Sequence, residues 1–378
     1  MSSHFVGTKE EGVAMLTRHL RVLRIALAIC LASLLSACPI DEVADTFPPL
    51  PSDNPPGASA QAIATAAALG RGINLDRMFE WTTVGQDFPV ADELLAKAKE
   101  AKFTSIRLPV RWSNHAEATA PYTIDATFFA QVESVVDKAL AADFYVVLNM
   151  HHYRQLDGDP LDGGEFAVDD AVLETRFLTM WKQIAKQFKG KSNHLVFELY
   201  NEPHIRQTDA KWNELAARAM GTIRQSNPYR TVMIGATVWN TAGALSGLHL
   251  PNDGNLIVTI HNYEPFYFTH QGAPWLSPPL PTGVICCSAQ QRAEISAPLD
   301  IAKTWSEANR YPIYVGEFGA YSAGDMASRV AFTRYSRDQM EARGMSWGYW
   351  EMTAPDFGIY DKATHAWRAE LFDALMGN

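Results

Sequence analysis

Two glutamates in this chain close segments whose composition suits burial. Glu202 ends the apolar run of HLVFELYNEPH (residues 194–204), and Glu317 ends that of IYVGEFG (residues 313–319). A carboxylate at the edge of an apolar interior is costly unless it is paired, and SIRLPV (residues 105–110) carries a candidate partner, Arg107. Two carboxylates facing one cavity, without metal-ligand spacing, suit general acid/base and nucleophilic work on an acid-labile ether such as a glycosidic bond. Their like charges push the two pKa values apart. Arg107 beside one of them keeps it ionised as a nucleophile, while the negative neighbour keeps the other protonated as an acid. Pro203, directly after Glu202, biases that residue away from helical geometry and so leaves its carboxyl at the end of a strand.

The elements needed to bring such groups together are legible as an alternation. Eight short runs rich in β-branched and aromatic residues read as strands: RGINL, TSIRLPV, FYVVLNM, LVFELYN, TVMIGA, LIVTIHNY, IYVGEFG and SWGYWEM. Between most of them lie amphipathic stretches. DATFFAQVESVVDKALAA, for example, places Phe128, Val132, Val135, Val136 and Ala139 on one helical face. The weakest helical segment is VWNTAGALSGLHLPNDGN, after the fifth strand. Near-continuous apolar strands alternating with helices predict an α/β fold, a (β/α)8 TIM barrel in a single catalytic domain. The rival, an open doubly wound sheet, lacks the glycine-rich loop after its first strand. In a barrel, chemistry collects where strands end at their C-terminal side. Those ends here are polar: Asn74, Arg107, His151 and His152, Asn201 and Glu202, Trp239 and Asn240, His261 and Tyr263, Glu317, and Trp350 and Glu351.

Composition narrows the partners. Of the 378 residues, 47% are hydrophobic and 20% charged, with a net charge of −10 and no basic cluster downstream of the N-terminal segment, so nucleic acid is not expected as a partner. Near the N-terminus, Arg18, Arg21 and Arg24 precede an apolar run from Ile25 to Leu35 that is shorter than the ~20 residues of a membrane span. Residues 1–38 therefore read as a secretory signal. Its end, Leu35-Ser36-Ala37-Cys38, resembles a bacterial lipobox, with Cys38 lipidated. The expected location is the cell envelope, with membrane contact through that lipid anchor only, and a monomer is expected. Residues 39–68, rich in Pro and Ala, read as a tether, leaving residues 69–378 as the catalytic domain. Of the four cysteines only the adjacent Cys286 and Cys287 fall outside the signal; they form either a vicinal disulfide or two thiols in a loop.

LYNEP near the fourth strand and VGEFG near the seventh resemble signatures of the cellulase-type glycoside hydrolases of family five. IRLPV, NMHH, IHNYEPF and GYWEM add to the resemblance at the matching strands and in the same order. The resemblance implies that Glu202 is the acid/base and Glu317 the nucleophile of a retaining double displacement, with no cofactor and no metal. It further implies substrate contacts from Asn201, towards the sugar 2-hydroxyl, and from Trp350, as the floor under the reacting sugar. Arg107 and Tyr263 orient and ionise the nucleophile, and His151 and His261 complete the site. His152 is left open, as a site residue or one facing a neighbouring loop. A non-proline cis peptide is implied at Trp350–Glu351. Asn74, at the end of the first strand, is grouped with the substrate-binding residues. Trp81, Trp112, Trp239 and Trp275 are candidate sugar platforms, Trp275 foremost because it lies in a long Pro-rich insertion after a site strand. Trp181, Trp212, Trp305 and Trp367 fall on predicted helices and are expected to pack.

The expected substrate is a β-1,4-glucan polysaccharide or oligosaccharide cut internally. Xyloglucan, mannan and β-1,3-glucan stay open within the same chemistry, because subsite loops choose among them. GINLDRMFEW departs from the usual family pattern after strand one, so Asp76, Arg77 and Glu80 are expected to alter the subsite walls. Two other classes stand against this reading. One is a non-catalytic glycan-binding surface lipoprotein. The other is a metal-dependent hydrolase using His151, His152 and His261, disfavoured because adjacent strand residues point to opposite faces.

Overall fold

The computed structural model describes residues 56–80, 87–162 and 164–377. The expected signal segment, the lipobox Cys38, residues 39–55 of the expected tether and Trp81 lie outside the described residues. Among the described residues no helix is long and apolar enough to cross a membrane.

Eight parallel strands close into a barrel in sequence order. They are β1 (Arg71–Asn74), β2 (Ser105–Leu108), β3 (Tyr145–Asn149), β4 (Leu195–Glu198), β5 (Val232–Gly235), β6 (Leu256–His261), β7 (Ile313–Glu317) and β8 (Ser346–Tyr349). Several of the helices that cover them start where the sequence offers capping oxygens. Asp125 accepts from the Phe128 N–H at the head of Ala126–Ala141, and Phe128, Val132, Val135, Val136 and Ala139 are the buried face, as the periodicity predicted. Ser288 and Gln291 form a reciprocal capping box at the head of Ala289–Asn309. The segment after β5 forms only short turns, Thr237–Asn240 and Ala242–Gly247, in keeping with its weak helical pattern.

One expectation is corrected at the base of the barrel. Residues 60–68, assigned from sequence to the end of a tether, belong with Leu69 to a helix, Ala60–Leu69, whose Ala62, Thr65, Ala66 and Leu69 are buried. Ala66 and Leu69 pack against Val147, Val196, Met233, Ile257 and Tyr314, residues of β3 to β7 that form the lowest layer of the interior. The helix end is held as well. Ser346 Oγ donates to Ala66 O (2.6 Å), and Thr104 Oγ1 donates to Leu69 O (2.6 Å), satisfying carbonyls that the last turn leaves without intrahelical partners. The run of alanines concealed this role, because an amphipathic face made of Ala and one Leu carries little hydrophobic contrast.

Candidate active site

Above the apolar layer the interior turns polar around one side chain. Arg107 on β2 is wholly buried, and all of its hydrogen-bonding directions are used. Nε and Nη2 donate in a fork to Glu198 of β4 (2.7 and 2.9 Å), Nη1 donates to Glu317 Oε1 (2.7 Å) and to Asn74 Oδ1 (2.9 Å), and Nη2 donates to Asn201 Oδ1 (2.6 Å). Burial alone lowers the Arg107 pKa, but Glu198 and Glu317 outweigh it and raise it further above the ordinary arginine value, so the site holds a permanent cation.

Two residues grouped with substrate binding are corrected here. Asn74, opposite Arg107 in the β1–β2 register, is fully buried, and its amide nitrogen donates to Gly316 O (3.0 Å) and Tyr349 O (3.1 Å). It braces Arg107 and the strands beside it, and Arg107 itself has no exposed surface with which to touch a sugar. Glu198 was missed. Its signal was present in LVFEL, a carboxylate at an inward position of a buried strand, which cannot stay there without a cation. Glu198 and Asn201 both reach Arg107 although they are three residues apart, a spacing that puts them on opposite faces of a regular strand. The chain leaves regular strand geometry after Glu198, with Leu199 and Tyr200 buried elsewhere, and only the folded path reveals this.

Glu317 and Glu202 meet across His261. The β6–β7 register shifts at Ile260/His261, so that His261 pairs with Glu317. His261 Nδ1 lies 2.7 Å from Glu202 Oε1 and 3.6 Å from Glu317 Oε2. One side-chain atom from each of the three residues lies within 4.8 Å of the others. Tyr263 donates its hydroxyl to Glu317 Oε2 (3.0 Å). Burial raises the Glu202 pKa to about 7, against partial compensation from His204, His152 and Arg107. Burial raises Glu317 too, opposed by His261 and by the Arg107 guanidinium. Burial lowers His261 to about 4, so the ring is neutral near pH 7 and its Nδ1–H serves as donor to Glu202. The arrangement offers two carboxyls raised by burial, one hydrogen-bonded to an arginine and a phenol and the other beside a neutral imidazole.

Trp350 lies parallel to His151, ring centroids 5.4 Å apart with 5° between the planes, and the Trp350–Glu351 peptide is cis. His151 and His152 do not face opposite sides. Both approach Glu80, with their Nε2 atoms at 3.8 and 3.1 Å from its Oε1, because β3 has already ended at Asn149 and strand alternation no longer applies. These three residues have ligand atoms close enough for a metal ion. The tautomer opposes it: Asn149 Oδ1 accepts from the Val110 N–H (3.1 Å), which turns its amide nitrogen to donate to His151 Nδ1 (3.1 Å) and leaves the proton on Nε2, the atom a metal needs. Asp76, Glu80 and Glu351 form a buried acidic group. Burial raises Asp76 to about 7 and Glu80 to about 8, and raises Glu351 well above the usual range.

The tryptophans divide. Trp112 is corrected from platform to core: it is wholly buried and donates its indole N–H to Asn149 O (2.9 Å). Trp181 and Trp212 are buried, as their helical positions implied. Trp239 is 48% and Trp275 52% exposed. A series of ring contacts, Tyr263 to His270 (5.0 Å) and His270 to Trp275 (6.1 Å), connects the Trp275 loop to the residue that holds Glu317. In the same loop Cys286 and Cys287 form a disulfide.

Residues 66–356 match the family model described as cellulase (glycosyl hydrolase family 5). Endoglucanase H of Acetivibrio thermocellus is 31% identical over 340 residues, covering 86% of this chain and 35% of that protein. Endoglucanase B of Clostridium cellulovorans is 27% identical over 302 residues, covering 72% of this chain and 65% of its own. The chain thus spans about a third to two thirds of the length of these relatives. Among solved structures, a hyperthermophilic endo-β-1,4-glucanase in complex with substrate is similar at 39% identity and a TM-score of 0.78, over 84% of this chain and 99% of that one. A Thermotoga maritima enzyme solved with cellobiose and with mannotriose is similar at 38% identity and 0.76, over 83% of this chain and 99% of that one.

Proposed function

The chain belongs to the cellulase family, glycosyl hydrolase family 5, and from that premise we propose that it is a retaining, endo-acting β-1,4-glucanase in which Glu202 is the acid/base and Glu317 the nucleophile. One observation carries the mechanism. A carboxyl oxygen of Glu202 and one of Glu317 lie within 4.8 Å of each other, nearer to the separation of about 5–5.5 Å of retaining enzymes than to the about 6.5–9.5 Å of an inverting pair, and this supports the retaining reading.

In the first step Glu202, holding its proton through burial, delivers it to the glycosidic oxygen as Glu317 attacks the anomeric carbon. Arg107 Nη1 and the Tyr263 hydroxyl hold the two Glu317 oxygens, fixing the angle of attack. Arg107 also takes the Asn201 oxygen, which leaves the Asn201 amide nitrogen to donate towards the sugar 2-hydroxyl. In the second step Glu202, now ionised, takes a proton from water, which attacks the glycosyl-enzyme and releases product with retained configuration. Trp350 offers the sugar its face, and Trp239 and Trp275 are platforms further along the cleft.

The activities of the relatives support glucan as the substrate, and the mannotriose complex of the Thermotoga maritima enzyme keeps mannan as the alternative to be tested beside it. Reducing ends released from carboxymethyl-cellulose, mannan, xyloglucan and laminarin, measured side by side, decide the substrate. Glu202→Gln and Glu317→Gln are each expected to lose at least about 100-fold in kcat; variants as active as the parent would refute the assignment and favour a non-catalytic glycan-binding role. We further infer from Leu35-Ser36-Ala37-Cys38 that the protein is exported and lipid-anchored at Cys38, a location whose oxidising chemistry suits the Cys286–Cys287 disulfide. Palmitate incorporation that persists in Cys38→Ser would overturn this.

A further inference from the structure

Beyond the acid/base stands a histidine to which neither the motif nor the family comparison gives a role. Pro203 has no N–H, so the turn after Glu202 lacks one backbone donor. The Glu202 carbonyl oxygen is taken by a side chain, that of His204, through Nδ1. The other ring nitrogen of His204 faces Asp159 Oδ2 at 3.2 Å, and Asp157 Oδ1 lies 3.8 Å from Nδ1. A carbonyl oxygen can only accept, so Nδ1 carries a proton and donates.

The ring is also clamped from above. The Trp239 indole stacks on it at 4.8 Å with 20° between the planes, and the Trp239 backbone N–H donates to Pro203 O (3.3 Å). This placement requires an unfavourable backbone. Val238, Trp239 and Asn240 have φ values of 56°, 54° and 59°, three successive left-handed residues, none of them glycine. Asn240 pins the turn by accepting the Ala236 N–H (3.1 Å), and it occupies the space beside Gly235, where a Cβ would come within 2.2 Å of Asn240 Oδ1. Such conformations persist only where surrounding structure enforces them, and they cluster at working sites. Here the enforced turn lays Trp239 on His204, and His204 holds the main chain of Glu202.

We infer that His204 is a positioning residue for the acid/base: its Nδ1–H fixes the Glu202–Pro203 peptide, seats the Glu202 carboxyl against His261, and is itself held in place by Trp239. The inference rests on the reading of Glu202 as the acid/base. Loss of this hold weakens proton delivery to the leaving group and leaves attack by Glu317 intact. Substrates whose leaving group departs without a proton are therefore spared.

The test uses the full chain, its His204→Ala, His204→Asn and His204→Gln variants, and two substrate types. Cellotetraose and phenyl β-cellobioside need the proton; 2,4-dinitrophenyl β-cellobioside does not. His204→Ala is expected to lose about 10- to 100-fold in kcat/KM on the first type and less than about 3-fold on the second, within the range that general acid catalysis contributes. An asparagine amide nitrogen stands where Nδ1 stands, and that of glutamine where Nε2 stands, so His204→Asn should recover most of the loss and His204→Gln little. Equal losses on both substrate types, or asparagine no better than glutamine, would overturn the inference. If the alanine variant does not fold, the asparagine and glutamine pair decides alone. A parent chain that cleaves none of the three substrates would overturn the glycosidase reading, and this inference with it.

Discussion

Glu198→Gln tests whether the site depends on a carboxylate that never meets substrate. Glu198 receives two hydrogen bonds from Arg107, at 2.7 and 2.9 Å, with both side chains fully buried. Glutamine keeps the shape and one acceptor oxygen but removes the charge, and it turns an amide N–H₂ towards a guanidinium that needs an acceptor. One hydrogen bond to a charged group is worth about 1.5–3 kcal/mol, and breaking a buried ion pair outright costs about 3–5 kcal/mol. The expected loss in stability is about 2–3 kcal/mol, a fall in Tm of roughly 3–5 °C for a domain of about 300 residues. Activity falls as well. Freed from its fork, Arg107 Nη1 no longer meets Glu317 Oε1 at a fixed 2.7 Å, and a loss of about 1.4–2.7 kcal/mol in orientation is roughly 10- to 100-fold in kcat/KM. The assays are a circular-dichroism melt and kcat/KM on cellotetraose. A melt within about 1 °C of the parent together with unchanged kcat/KM would refute the reasoning, since Arg107 would then be satisfied by Glu317, Asn74 and Asn201 without Glu198.

Four further outcomes follow from the same geometry. On the proposed assignment of Glu202 as the acid, the alkaline limb of kcat/KM should lie near pH 7, because burial raises its pKa to about 7; full activity at pH 9 would contradict this. Tyr263→Phe removes the hydroxyl that donates to Glu317 Oε2 (3.0 Å) and should lower kcat by about 10-fold or more with little change in Tm, checked by kinetics beside a melt. Asp76 and Glu80 have folded pKa values raised by burial to about 7 and 8, so the folded chain binds more protons than the unfolded one from about pH 4 to 8, and stability falls as pH rises through that window. Asp76→Asn should accordingly gain Tm relative to the parent between pH 5 and 8, and a constant difference across that range would refute it. Leu69→Ala, at the base of the barrel, should cost about 2–5 kcal/mol while leaving KM unchanged, measured by denaturant unfolding and kinetics.

Much of the architecture was legible because it rests on local chemistry. β-Branched runs of strand length and helical faces such as Phe128 to Ala139 are short-range signals, and each appears in the structure where the sequence places it. The errors were of one kind, wherever a residue's role depends on a neighbour distant in sequence. Trp112 was read as a platform from its type, and is core because its indole finds Asn149 O on the next strand. Asn74 was read as a sugar contact, and instead braces Arg107. His151 and His152 were placed on opposite faces by a strand rule that ceases two residues before the first of them. All of the Ala60–Leu69 helix except Leu69 reads as tether because its face is weak until the barrel base is present to cover it.

The barrel, its eight strands, and the acids Glu202 beyond the fourth and Glu317 at the end of the seventh are legible in the chain alone, because periodicity and residue type carry that information locally. The tertiary structure alone decided what surrounds those acids. The Glu198 fork on Arg107, the register shift that brings His261 to Glu317, and the left-handed turn that lays Trp239 on His204 all join residues from different strands. Their geometry follows from barrel closure, which fixes distances that no local pattern contains.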